Sequence, residues 1–204
     1  MRRPLLTAVC LLFAMPALAE SVAVFDGAMQ NGWTVGAFSI VDAPGQAAGI
    51  KALCRIGLTE WKGIGGTNPI LGNTFLEFDV YFDTTNGNTG TSFGVINESW
   101  DTGYPKYEMS NKSSTPVWYR DGVQMSSLAY SYAFSANTWQ HFKLDLNSST
   151  NGQPIPADGN FGIIFGNWSG TPDMYLMNVE FTPEPATIAM LGMGGLAILR
   201  RRRS

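Results

Sequence analysis

"TFLEFDVYFD", residues 74–83, decides the fold. Leu76, Phe78, Val80 and Phe82 recur with a period of two, and Glu77, Asp79 and Tyr81 fill the places between them. A strand turns successive side chains to opposite faces, so this segment presents one apolar face and one polar face. A half-buried β-strand is expected, with Glu77 and Asp79 side by side on its wet face.

The same pattern extends outward in both directions. In "TWQHFKLDLN", residues 138–147, Phe142, Leu144 and Leu146 share one face, and Trp139, His141, Lys143 and Asp145 share the other. "VWYRDGVQM", residues 117–125, reads as a hairpin, because Asp121-Gly122 supplies the positive φ angles of a two-residue turn. Further strands are expected at 22–25, 33–41, 50–58, 91–96, 130–134, 161–165 and 174–181. Clusters of Gly, Asn, Asp and Pro separate them, and no stretch of the body sustains an apolar recurrence at helical spacing. The fold class is therefore all-β: an antiparallel β-sandwich with jelly-roll connectivity, followed by a short C-terminal apolar helix.

The ends of the chain differ from its body. Arg2 and Arg3, the apolar run 5–14 and the small-residue pattern Ala17-Leu18-Ala19 make a secretory signal peptide, cut after Ala19, the expectation. The apolar run is well short of the roughly 20 residues that span a bilayer. Removal of the leader takes Cys10 with it and leaves Cys54 alone, so no internal disulfide can form and stability comes from packing. Residues 20–182 are long enough for one domain with its own core. Of thirteen Lys and Arg, two lie in the leader and four in the tail; of sixteen Asp and Glu, only Glu184 lies outside the body. The body keeps seven cations against fifteen carboxylates, a net charge of minus eight that repels phosphate backbones, and no nucleic acid partner is expected.

Candidates for catalysis are few. His141 is the single histidine, and Cys54 lies on an expected strand, with no local order suggesting a Cys-His or Ser-His-Asp arrangement. Cys54 reads as a small core residue and His141 as a strand-face residue, so no catalytic residue is assigned. The one carboxylate pair on a common face is Glu77 and Asp79, a chemistry that can hydrolyse glycosides. Carbohydrate binding asks for less: a flat ring against the sugar's C–H face, with amides, carboxylates or hydroxyls meeting its hydroxyls. "NESWDTGYPKY", residues 97–107, sets Trp100, Tyr104 and Tyr107 beside Asn97, Glu98 and Asp101, and "FGNWSGTPD", residues 165–173, sets Trp168 beside Asn167. The candidate sugar-binding residues are Trp100, Asp101, Tyr104, Asn167 and Trp168, with Trp139 and Trp118 extending the surface where they project from a wet face. Four Asn-x-Ser triplets, beginning at Asn97, Asn111, Asn147 and Asn167, match the glycosylation pattern and carry no weight here.

Three resemblances add to this reading. "FLEFDVYFD", "TWQHFKLDL" and "DMYLMNVEF" resemble the central and final strands of jelly-roll carbohydrate-binding modules with a galactose-binding-like fold. Such modules commonly hold a structural calcium near the first and last strands, which makes Asp26 the candidate ligand, although Asn178 stands where many of them have Asp. No other cofactor is expected. The spacing of Glu77 and Asp79 resembles the Glu-x-Asp-x-x-Glu motif of laminarinase-type hydrolases, but Phe82 occupies the third carboxylate position. The tail is the most specific: Pro183-Glu184-Pro185, the apolar run 186–199 with glycines at 192, 194 and 195, then Arg200, Arg201, Arg202 and Arg203. This order resembles the PEP-CTERM sorting signal.

That last resemblance implies processing by an exosortase at the Pro-Glu-Pro region and transient anchoring through the apolar helix. Its arginines would lie in the cytoplasm and the β-domain outside. It further implies a Gram-negative cell envelope, surface or extracellular matrix, with polysaccharide as the partner. The expected protein is thus exported, non-catalytic and carbohydrate-binding. The alternatives are a glycoside hydrolase or polysaccharide lyase using Glu77 and Asp79, and a structural or adhesion protein with a protein partner.

Overall fold

The computed structural model describes residues 20–56, 62–70, 72–85, 94–97, 104–108, 116–125, 135–166 and 173–184. Within them run twelve strands: β1 Val22–Phe25, β2 Ser39–Asp42, β3 Lys51–Arg55, β4 Lys62–Pro69, β5 Phe75–Asp83, β6 Gly94–Asn97, β7 Lys106–Glu108, β8 Trp118–Arg120, β9 Val123–Gln124, β10 Gln140–Asp145, β11 Asn160–Gly166 and β12 Asp173–Thr182. One sheet has the order β2-β3-β12-β5-β10-β8-β9, with β1 also on β12; the other has the order β4-β11-β6-β7. Every pairing is antiparallel. The chain passes from one sheet to the other at β3–β4, β4–β5, β5–β6, β7–β8, β10–β11 and β11–β12, which is the jelly-roll sandwich expected. The expected C-terminal helix and the strand at 130–134 lie outside the described residues.

The core sits between the sheets and is rich in aromatic rings. Leu76, Phe78, Val80 and Phe82 of β5 are buried, as are Phe142 and Leu144 of β10 and Phe161, Ile163 and Phe165 of β11. Rings from opposite sheets meet edge to face: Phe78 lies 5.2 Å from Phe165 and Phe161 lies 5.3 Å from Phe181, centroid to centroid. This is the separation at which aromatic pairs gain beyond their buried area. Tyr107 is fully buried and its hydroxyl donates to the Leu146 carbonyl at 2.7 Å, so its polar tip is satisfied inside the core.

Two strands escape the sequence pattern. β4, "KGIGGTNP", has the composition of a loop. Its glycines instead let a second backbone approach: Thr34 and Gly65 exchange hydrogen bonds at 2.8 and 2.9 Å, and the Ala37 amide donates to the Gly63 carbonyl at 3.1 Å. A Cβ on Gly36 would strike the backbone of residues 63–65, and one on Gly65 would strike the Thr34 hydroxyl. Segment 33–41 is correspondingly a strand only from Ser39, its earlier residues lying along β4 through the Thr34–Gly65 bridge. β7 has three residues, too few for a period to register.

Candidate functional site

β12 is the key to the outer face of the large sheet. It pairs with β5 along its whole length, while its other edge is shared between β3, opposite Met174–Leu176, and β1, opposite Val179–Phe181. A bulge separates these two halves, with Asn178 at a φ of 50°. The extra residue shifts the alternation, so the buried core positions run 174, 176, then 179, 181. Asn178 is left exposed, and its amide nitrogen donates to Asp79 Oδ2 at 2.6 Å.

Cross-strand register then assembles a polar block on that outer face. His141 lies opposite Asp79 and Lys143 opposite Glu77 on β10 and β5, and Glu180 lies opposite Glu77 across β12. His141 reaches a carboxylate with each ring nitrogen, Nδ1 to Asp79 Oδ1 at 2.9 Å and Nε2 to Glu77 Oε2 at 3.3 Å. Glu77 Oε1 also accepts from Lys143 Nζ at 2.7 Å and from Thr182 Oγ1 at 2.5 Å. Only an imidazolium donates from both nitrogens. The hydrogen bond to Asp79, then that to Glu77, accordingly pushes the His141 pKa up to about 10. The His141 hydrogen bond, helped by Lys143 and Thr182 against the effect of burial, pulls Glu77 down to about 2. Burial, followed by the charge on Glu77, raises Glu180.

An aromatic row borders this block. Tyr175 of β12 stands opposite Tyr81 of β5, their rings 5.9 Å apart, and Trp139, just before β10, brings its ring 5.5 Å from Tyr81. All three are half-buried. Trp139 and Tyr175 pack on a small apolar cluster of Ala43, Ala52 and Met177, distinct from the main core. At the far side, Lys143 lies 4.1 Å over the Phe75 ring. Flat rings beside fixed donors and acceptors are what a pyranose stacks on and hydrogen-bonds to.

The residues singled out from the sequence fall in several places. Glu77 and Asp79 share the outer face as expected, while Phe82, at the third carboxylate position, points into the core. Tyr104 is half-buried and its carbonyl accepts from Asn151 Nδ2 at 2.8 Å. Trp100, Asp101, Asn167 and Trp168 lie outside the described residues, as do Pro185 and Arg200, Arg201, Arg202 and Arg203. Trp118, offered as extending the surface where it projects from a wet face, is instead a core residue, as are Tyr107 and Asn97 of the turn-rich segment. Asn97 Oδ1 accepts from the Gly162 amide at 2.7 Å, and Trp118 packs edge-on against Phe78 and Phe142. Trp139 does project from the outer face. Cys54 is buried, with burial raising its thiol pKa.

The candidate calcium ligand Asp26 is exposed at the end of β1, and Asn178, at the position where the resembled modules often have Asp, is spent on Asp79. Among the described residues no group of three His, Cys, Asp or Glu is gathered to hold a metal ion. The residues that sequence reading missed are Tyr81, Tyr175, Asn178 and Thr182. The first could have been found from its phase with Glu77 and Asp79. The other three depend on strand neighbours and on the bulge.

Comparison with known families matches residues 181–203 to the PEP-CTERM protein-sorting motif. A comparison with curated proteins gives no match. Among solved structures the chain is similar to a family 30 carbohydrate-binding module, at 14% identity and a TM-score of 0.47 over 81% of this chain and 89% of that one. It is also similar to the C-terminal family 22 carbohydrate-binding module of Clostridium thermocellum Xyn10B, at 14% identity and a TM-score of 0.45 over 83% and 98%. A third, the family 30 module of a cellulosomal cellulase of Clostridium thermocellum, is 15% identical with a TM-score of 0.43 over 81% and 98%.

Proposed function

We propose that this protein is exported, sorted through its PEP-CTERM tail, and binds carbohydrate without turning it over, at the cell surface or in the extracellular polysaccharide matrix of a Gram-negative bacterium. The observation that carries the binding reading is the aromatic row Tyr175, Tyr81 and Trp139 set against the block of Asn178, Asp79, His141, Glu77 and Lys143 on one sheet face. Trp100, Asp101, Tyr104, Asn167 and Trp168, singled out from the sequence, add a second set of rings and amides to the same reading.

The state of Glu77 supports the non-catalytic half of this reading. A glycosidase needs a carboxyl that stays protonated to act as acid and a second free to attack or to activate water. Glu77, held near 2 with three donors on it, is a poor proton donor at neutral pH and its oxygens are already engaged. The same clamp suits binding, because donors and acceptors that are already ordered lose little entropy when a ligand arrives.

The tail accounts for location. Pro183 and Glu184 follow β12 directly, so an exosortase-type protease would meet its signal beside a folded domain, with residues 186–199 in the membrane until processing. Retention on immobilised neutral and acidic polysaccharides tests the binding reading. Wild type should be retarded by at least one glycan, and Trp139→Ala should lose 10-fold or more in affinity, with smaller losses for Trp100→Ala and Trp168→Ala. No retardation by any glycan would overturn it. Release of reducing ends or unsaturated products that disappears in Glu77→Gln would replace it with the enzymatic alternative.

A further inference from the structure

The β2–β3 hairpin belongs to the large sheet, but its tip departs from the sheet plane. Its strands are paired from Ser39–Cys54 to Asp42–Lys51, and the Ala43 amide extends the ladder to the Ile50 carbonyl at 2.9 Å. β3 keeps its partner on β12 only as far as Leu53–Leu176, because β1 occupies that edge from Val179 onward. Beyond this point the hairpin leans over the outer face, and its tip reaches a residue three strands away. Trp139 Nε1 donates to the Pro44 carbonyl at 2.8 Å. In the sheet plane β3 and β10 are separated by β12 and β5, about 14 Å at the ordinary spacing of strands. Trp139 and Pro44 can therefore meet only if the tip crosses above β12.

The contact covers the edge of the aromatic row described above. Ala43, Ala52 and Met177 are buried there, and Trp139 and Tyr175 pack against them. The indole N–H, the one polar group of the Trp139 ring, is occupied by the tip.

We propose that the hairpin tip, residues 43–50, is a strap that rests on Trp139 in the free protein and is displaced when a carbohydrate chain stacks on Tyr175, Tyr81 and Trp139; this rests on the reading of that face as the binding surface. The tip is suited to move as a unit. It carries its own turns, Gln46 amide to Ala43 carbonyl and Ile50 amide to Ala47 carbonyl, both at 3.2 Å, and its base is closed by the Lys51–Asp42 ion pair at 2.5 Å. The seal between tip and sheet is one side-chain hydrogen bond and a cluster in which two of three buried members are alanines. Of the buried cluster only Ala43 belongs to the tip, which places the motion at the low end of local opening energies and far from global unfolding.

Two measurements test the strap. In the first, residues 44–49 are replaced by Asn-Gly, a two-residue turn that spans the hydrogen-bonded pair Ala43–Ile50. Affinity for the retained glycan should rise about fivefold or more, and an unchanged or lowered affinity overturns the strap. In the second, hydrogen exchange of the Trp139 indole N–H is followed in the wild-type protein, its signal assigned by its absence in Trp139→Phe. Exchange should proceed through a local opening that denaturant does not accelerate, at least 10-fold faster than that of core amides such as Phe78. Exchange only by global unfolding overturns the strap. If no glycan binds any form, the binding reading fails, and the exchange result still decides whether the tip opens.

Discussion

His141 holds a carboxylate at each ring nitrogen, and the consequence is a pH dependence with two limbs. Glu77 has a folded-state pKa near 2 against an ordinary 4.5, so the stability it adds is complete above pH 4.5 and is lost as pH falls toward 2. His141, raised from 6.5 to about 10, adds stability that is complete below pH 6.5 and is lost as pH rises toward 10. The melting temperature should therefore form a plateau between about pH 4.5 and 6.5 and decline on both sides. His141→Gln should flatten the alkaline limb and cost about 1–2 kcal/mol at pH 6, the lower part of the range for charge-assisted hydrogen bonds because the imidazole is 43% exposed. Differential scanning calorimetry from pH 3 to 10 measures both; a melting temperature that is constant from 6.5 to 10 in wild type would remove the imidazolium from the account. Tyr107→Phe leaves the buried Leu146 carbonyl without its donor, an expected loss of about 1–2 kcal/mol in urea unfolding. Its burial could not be seen in the sequence, where Tyr107 sits in a polar, turn-rich segment and looks like a surface ring.

Strands were legible where a period of two ran long enough. β5 and β10 carry it over nine and six residues, and both occupy the expected positions with the expected faces inward. The hairpin of β8 and β9 was legible for a different reason, its Asp121-Gly122 turn, whose φ angles are 49° and 80°. Gly122→Ala should cost about 1 kcal/mol there, since L side chains resist that region. β4 was hidden because its glycines serve a neighbouring backbone and not a side-chain pattern. Gly36→Ala should be much more damaging than Gly122→Ala, about 3 kcal/mol or more, because it adds a clash with the β4 backbone to an unfavourable φ of 56°. A thermal shift no larger than that of Gly122→Ala would show that the two backbones can separate freely.

At the scale of the molecule, the last strand of the domain lies in the middle of the larger sheet, paired with β1, β3 and β5. The fold cannot close until residues 173–182 are available, so contacts of long sequence separation dominate and folding is expected to be slow for its size. A chain ending at residue 172 should show no cooperative unfolding transition. One ending at Glu184 should melt within about 2 °C of the full mature body, since Thr182 is the last residue in the sheet. Intact-mass measurement of protein recovered from its native cells should show the arginine cluster gone, and retention of Arg203 would contradict processing at the sorting motif. The sequence by itself determined the class of fold, the faces of its longest strands and the sorting tail. Each of these is written in local order: an alternation of two, or a fixed succession of Pro-Glu-Pro, apolar run and arginines. Only the tertiary structure decided that Glu77, Asp79, His141, Lys143, Asn178 and Thr182 form one block, that Tyr107 and Trp118 are core, and that Pro44 lies on Trp139. Those contacts join residues up to 105 positions apart, and they depend on strand register and on a bulge that no local pattern encodes.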